Sequence, residues 1–363
     1  MHEGFPDAKP QPAAGAILIL STDRKPCEAI PEGEIPLRLL RCLVVAIWMV
    51  GVCSAQFPDY YKTVSRVTWV VGNIDKVRPA WEALGLSDIQ EYPNIQLSGE
   101  FRGKPVTIYA WQITGHLGNL TVDMIQPGEG QANAFTNFLG KHGDGILSIV
   151  HAVPDPQALE KEILRMKGKG VNVLQQVTVQ RGQGPLTYTY FDTETEGKFA
   201  LGLVYAAGGM QAATGPSVVS HFSPVVWDAP AVSAYWEKLG FPAFPMQHAT
   251  PRADSRYRGK PLSLAFEVGY QRHTQFRYEW ISPPPTPANI YADFLNKHHR
   301  EGIQHIGIPV EDLAKSIAVY EKLGYHVHQA GAWGDVGKPG SGQYAYMDTD
   351  SAGGVSVELV HSY

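Results

Sequence analysis

Gly302 to Asp312 reads GIQHIGIPVED, and 157 positions earlier Gly145 to Asp155 reads GILSIVHAVPD. Both stretches open on Gly-Ile, alternate apolar residues as a strand does, and end in an acidic turn. The later one carries His305 where the earlier one carries Ser148. The likeness extends outward. WEALG (Trp81–Gly85) returns as WEKLG (Trp236–Gly240), and FRGKP (Phe101–Pro105) as YRGKP (Tyr257–Pro261). FLGKH (Phe138–His142) returns as FLNKH (Phe294–His298), and YFDT (Tyr190–Thr193) as YMDT (Tyr346–Thr349). These landmarks recur at offsets of 155 or 156, which marks an internal duplication. The expected modules run over 62–209 and 217–363, joined by a small-residue linker at 210–216.

The chain has 363 residues, of which 44% are hydrophobic and 18% charged, with a net charge of -5. That suits a soluble protein with more than one domain-sized unit. There is no basic patch of the kind that binds nucleic acid. The three cysteines, Cys27, Cys42 and Cys53, all precede Gln56, so nothing after it can form a disulfide or a thiolate-metal bond. Arg38 and Arg41 lead into the apolar run Cys42–Val52, and Cys53–Ala55 supplies small residues. Basic, apolar and small segments in that order predict a signal peptide ending near Ala55, and hence an exported mature chain without a stable membrane span. Residues 1–55 thus form an N-terminal extension plus signal, with an unusually long lead before the apolar run.

Each module divides again. In the second, HFSPVVWD is strand-like, PAVSAYWEKLGF helical, and LSLAFEVG and QFRYEWIS extended. The order then restarts: QHIGIPV, the helical LAKSIAVYEKLG, then YHVHQAG, GQYAYMDT and GVSVELVHS. The fold class expected is α+β, with four βαβββ units in two tandem modules. Helices should cover one sheet face and leave the other free to form a cleft.

The first strands of the second module's two halves offer His221 and His305. The last strands offer Glu279 and Glu358. Alternation puts Val357 and Leu359 on the helix side and Glu358 in the cleft, and Ile306 and Ile308 likewise oppose His305. Two imidazoles and two carboxylates converging on one concave sheet suit one divalent metal ion, with open positions for water or substrate oxygens.

The four βαβββ units and this His/Glu placement resemble the vicinal oxygen chelate superfamily, which includes glyoxalase I, methylmalonyl-CoA epimerase, extradiol dioxygenases and bleomycin-resistance proteins. The resemblance covers about 62–363. FLNKHHREGIQHIGIPVED is similar to the segment that leads into the second ligand strand of the epimerase and glyoxalase branch. The resemblance implies a metal (Zn, Ni, Co, Mn or Fe) held by His221, Glu279, His305 and Glu358. It also implies isomerase or lyase chemistry through an enolate-like intermediate, with Glu358 or Glu279 moving the proton of a small oxygenated substrate. Extradiol dioxygenases use a His-His-Glu triad, so an Fe(II) dioxygenase using His221, His305 and Glu358 is the second reading. A non-catalytic small-molecule binder is the third. The protein is expected to be a monomer or homodimer.

The first module departs from this set, with Arg66, Asp123, Ser148 and Gly202 at the four positions. We expect Arg66 and Asp123 to form an ion pair across the vacated site, the guanidinium standing in for the cation. A separation above about 6 Å would defeat that idea. His151 should face the other side by strand parity. Ligand completeness requires units three and four to pair with each other. RYRGKP reads as a structural hairpin before an anion contact, and GKPGSG (Gly337–Gly342) as a flexible loop. NLT (Asn119–Thr121) matches a glycosylation acceptor. His298, His299, His326 and His328 read as surface or supporting residues, and His361, just beyond a ligand strand, is a further candidate.

Overall fold

The computed structural model describes residues 57–363 apart from 183, 211–217, 250, 251, 253 and 298–300. The signal segment, the 211–216 part of the linker, His298 and His299 therefore lie outside the described residues. Among the described residues no helix is long and apolar enough to cross a membrane.

The first repeat runs β1 (Arg66–Val70), α1 (Ile74–Ala83), β2 (Ser87–Phe101), β3 (Lys104–Leu117), β4 (Leu120–Pro127) and α2 (Ala134–His142). It continues with β5 (Gly145–Ala152), α3 (Pro156–Gly168), β6 (Val173–Arg181), β7 (Gly184–Phe191), the short α4 (Glu194–Gly197) and β8 (Ala200–Ala206). Its eight strands close into a barrel in the order β1-β4-β3-β2-β6-β7-β8-β5. Each unit is a βαβββ, as the sequence periodicity predicts.

The second repeat runs β9 (His221–Val225), α5 (Ala229–Lys238), β10 (Met246–Ala249), β11 (Arg256–Tyr257), β12 (Lys260–Pro261), β13 (Phe266–Arg272), β14 (Arg277–Ser282) and α6 (Ile290–Lys297). It ends with β15 (Gly302–Pro309), α7 (Leu313–Lys322), β16 (Val327–Trp333), β17 (Gly342–Met347) and β18 (Ser356–Ser362). Strand order is β10-β13-β14-β9-β15-β18-β17-β16-β11-β12. By the repeat offset, β10 and β11 together stand where β2 runs unbroken, and β12 and β13 where β3 does. The extended run expected over LSLAFEVG accordingly begins only at Phe266. These two breaks interrupt the wall that is continuous in the first repeat.

Local chemistry explains the landmarks. The acidic turn ending each quoted stretch is a helix N-cap. Asp155 accepts from Ala158 N at 2.6 Å and Asp312 from Lys315 N at 3.0 Å. Asn73 and Asp228 cap α1 and α5 the same way, so every unit starts its helix with one side-chain oxygen satisfying an orphan backbone N–H. Arg102-Gly103 and Arg258-Gly259 all have positive φ, at 50°, 70°, 48° and 74°. Two successive left-handed residues make the hairpin turn that matches strand twist. Both RGKP motifs are thus turns of the same geometry, as expected from the sequence.

The tryptophans of the WEALG and WEKLG landmarks join the repeats. Trp81 Nε1 donates to Ala352 O at 2.6 Å, and Trp236 Nε1 donates to Gly197 O at 3.2 Å. The two bonds are related by the repeat offset, so the interface is pseudo-twofold. Around it one hydrophobic core takes helix-facing residues from both repeats, among them Trp69, Met166, Phe222, Ile306, Val357 and Leu359. His151 lies on this side too. It is fully buried, Nδ1 contacts Thr63 O at 2.6 Å, and burial brings its pKa down to about 4. Strand parity thus excludes it from the barrel interior, as predicted.

Candidate metal centre

β9 and β15 are antiparallel neighbours. β14 flanks β9 and β18 flanks β15, both parallel. Units three and four therefore share one sheet, and the side chains opposite to Phe222, Ile306, Val357 and Leu359 converge on its other face. His221, Glu279, His305 and Glu358 place one donor atom each within 4.8 Å of the others. His221 Nε2 lies 3.1 Å from Glu279 Oε2 and 2.9 Å from Glu358 Oε2. His305 Nε2 lies 3.7 and 3.6 Å from the same two oxygens. Neighbouring donors around an ion with bonds of about 2.1 Å would stand about 3 Å apart, so the cluster has the right size.

Hydrogen bonds behind the rings orient them. Ser220 Oγ donates to Gly307 O at 3.2 Å, which leaves it to accept from His221 Nδ1 at 3.1 Å. Gln304 Nε2 donates to Ser356 Oγ, which turns its Oε1 to accept from His305 Nδ1 at 2.6 Å. In their neutral forms both histidines thereby present a bare Nε2 to the cluster, the arrangement that metal-binding imidazoles use. Neither Nε2 makes a well-directed hydrogen bond despite being buried. Buried polar atoms rarely go unpaired, and two lone pairs facing two carboxylates fit a cation between them. The donor set therefore fits the divalent ion that the fold implies.

Electrostatics agrees. Burial opposes a charged imidazole, but Glu279 and then Glu358 outweigh it and push His221 up to about 9. Burial likewise works against ionised Glu279, yet His221 and His305 hold its carboxyl well below the usual range. Burial keeps His305 below its ordinary value. A folded-state pKa above the ordinary 6.5 means that the proton on His221 stabilises the metal-free fold fully below pH 6.5. That contribution fades as pH rises through about 9. A cation must displace that proton. Uptake at about pH 7.5 should release close to one proton per ion, and almost none at about pH 10. Calorimetric titration in buffers of different ionisation enthalpy checks this.

Gly307 was not recognised from sequence. It sits two residues beyond His305 on the same face, and a Cβ there would fall 1.8 Å from Cε1 of the His221 ring. The glycine is the floor on which the imidazole lies. Gly307→Ala should lower metal affinity at least about tenfold, as loss of supporting contacts does. Overpacking should cost only about 1–3 kcal/mol. Metal titration and urea unfolding of the same variant separate the two effects.

The first repeat shows the converse. Arg66 Nη1 donates to Asp123 Oδ2 at 3.0 Å, the ion pair expected across the vacated site. Tyr188 Oη accepts from Arg66 at 2.8 Å and donates to Asp123 at 2.9 Å. Gln112 and Thr114 satisfy the other carboxylate oxygen. Val150 stands where Gly307 does, and Gly202 where Glu358 does. A Cβ on Gly202 would meet Ser148 Oγ at 2.5 Å and a Val150 methyl at 2.7 Å. Bulk and space are exchanged between the two repeats.

Glu279 and Glu358 line a cavity of about 360 Å³ that also takes in Tyr270, Tyr344, Tyr346 and Trp333. Tyr346 packs edge-on against His305 at 4.9 Å and shares a 2.8 Å hydroxyl contact with Tyr291. Ser220 and Gln304, the polar residues immediately before the two histidines, were the available signals for the supporting bonds. His361 does not join the site. Its Nδ1 contacts Val310 O at 3.1 Å, outside the cavity lining. His326 is exposed, and His328 accepts from Arg258.

No family model and no curated protein sequence matches the chain. A triple variant of 4-hydroxymandelate synthase from Streptomyces coelicolor has a similar structure. It has a TM-score of 0.57 and 14% identity, over 82% of this chain and 92% of that one. The chain has the vicinal oxygen chelate fold. A xylose isomerase-like TIM barrel/4-hydroxyphenylpyruvate dioxygenase fusion protein also aligns, with a TM-score of 0.47 and 11% identity. That match covers 90% of this chain but 53% of the fusion. A vicinal oxygen chelate fold hosts many chemistries, so function has to come from the site.

Proposed function

We propose that this chain is an exported enzyme that binds one divalent metal ion through His221, Glu279, His305 and Glu358 and catalyses an isomerase or lyase reaction. Its substrate is a small oxygenated molecule. The bound ion would supply Lewis-acid chemistry, polarising a substrate carbonyl so that the neighbouring C–H becomes acidic. Glu358 and Glu279 both border the cavity, and one of them takes and returns that proton. The tyrosine-rich wall and the buried floor limit water around the exchanging carbon.

The observation that carries this reading is Glu279. A fourth protein donor leaves a six-coordinate ion two open positions, enough for a chelating substrate. The oxygenase facial triad keeps three, which also admits dioxygen. The second reading, an Fe(II) dioxygenase, is favoured by His221, His305 and Glu358, which by themselves form a two-histidine, one-carboxylate set. Phenylpyruvate and dihydroxyacetone separate the two. We expect metal-dependent exchange of the hydrogens next to the carbonyl in D₂O, lost in Glu358→Gln or Glu279→Gln, with no oxygen uptake. Oxygen consumption by the Fe(II)-loaded protein without exchange would overturn the isomerase or lyase reading.

A further inference from the structure

The hairpin of β13 and β14 sets Arg272 directly opposite Arg277. Like charges facing each other across a sheet are destabilising unless something compensates. Among the described residues, neither guanidinium has a carboxylate within ion-pair distance. Both lie beside the ring of Tyr270, at 5.6 and 5.3 Å from its centroid. Arg277 is half-buried, and its Nε is buried without a hydrogen-bond partner.

The position ties this pair to the site. Arg277 precedes Glu279 by two residues, so the two share a face of β14, about 6–7 Å apart along the strand. Both arginines line the cavity that Glu279 and Glu358 enter. Leu262, Leu264, Phe266 and Val268 add an apolar part to the same lining. The first repeat supplies a control. At the offset of 156, its matching hairpin pairs His116 with Thr121, and neither is an arginine. At this hairpin, opposed arginines stand only in the repeat that carries the four His and Glu residues.

We propose that Arg277 and Arg272 form a carboxylate-binding subsite. The substrate is then a small metal-chelating molecule with an apolar body and a separate carboxylate. This rests on the metal-centre reading for its chelating end only. Two neutral imidazoles and two carboxylates balance a divalent ion, so the centre itself leaves no excess charge to attract an anion. Arg277 supplies it, and its planar fork suits a carboxylate.

The test uses the metal-loaded full chain and three probes. Phenylacetate against phenylacetamide reads the anion subsite without any chelating group. 4-Methylcatechol reads the metal. 3,4-Dihydroxyphenylacetate carries both groups. We expect wild type to prefer phenylacetate to the amide at least about tenfold, as charge-assisted hydrogen bonds allow. That preference should fall to near unity in Arg277→Gln and return in part in Arg277→Lys, with metal content and 4-methylcatechol affinity unchanged. 3,4-Dihydroxyphenylacetate should bind more tightly than either single-ended probe. Equal binding of acid and amide by wild type, or a preference that survives Arg277→Gln, overturns the subsite. Failure of 4-methylcatechol to require metal while the acid preference persists overturns the metal reading and leaves the subsite standing.

Discussion

His305→Ala is expected to bind divalent metal at least about a hundredfold more weakly than the wild-type chain. Loss of an outer supporting contact already costs about 10–100-fold, and this substitution removes a donor together with its Gln304 bond. The effect should not come from unfolding. His305 is fully buried on β15, and a Leu→Ala-sized truncation there costs a few kcal/mol at most. The variant should therefore retain a cooperative unfolding transition while failing to hold metal through gel filtration. Elemental analysis beside far-UV circular dichroism checks both. Equal metal in variant and wild type would mean that the cluster is an ion-pair network.

Asp123→Ala should have the largest effect on stability, about 3–5 kcal/mol, with no change in metal per folded molecule. It removes the acceptor for Arg66, Tyr188, Gln112 and Thr114 at once. It also strands a buried guanidinium, and breaking a buried pair from one side costs about that much. A folded protein has only about 5–15 kcal/mol in hand, so much of the chain's margin would go. The double change Arg66→Met with Asp123→Leu should recover most of the loss, because an apolar replacement leaves no charge to strand. Urea unfolding of the two variants beside the wild-type chain measures this. A loss below about 1 kcal/mol in Asp123→Ala would show that the pair carries little of the barrel's stability.

Much of this was legible in the sequence because duplication and strand parity are one-dimensional. The recurrence of WEALG and RGKP showed the repeat. Alternation around Glu358 and His305 chose the cleft face, and Arg66 with Asp123 could be paired across the vacated positions. What escaped depends on registers between strands. Gly307 reads as a weak point in a strand until the His221 ring is found lying on it. Arg272 and Arg277 are five residues apart in sequence and become opposed only through the hairpin. That the second repeat has the four short strands β10 to β13 where the first has β2 and β3 carries no periodic signature. The partner carbonyls of Trp81 and Trp236 lie in the opposite repeat, beyond the reach of any local pattern.

The exchange of bulk between the repeats has an evolutionary consequence. Restoring a carboxylate at position 202 alone would drive it into Val150 and Ser148. Restoring a histidine at 66 alone would leave Asp123 without its cation and set the ring against the Val150 side chain. Trimming Val150 alone would open a void in the buried cluster it belongs to. Each single reversal is penalised by the other substitutions, so the silent repeat is held silent by epistasis. A metal centre in the first repeat would need these positions to change together.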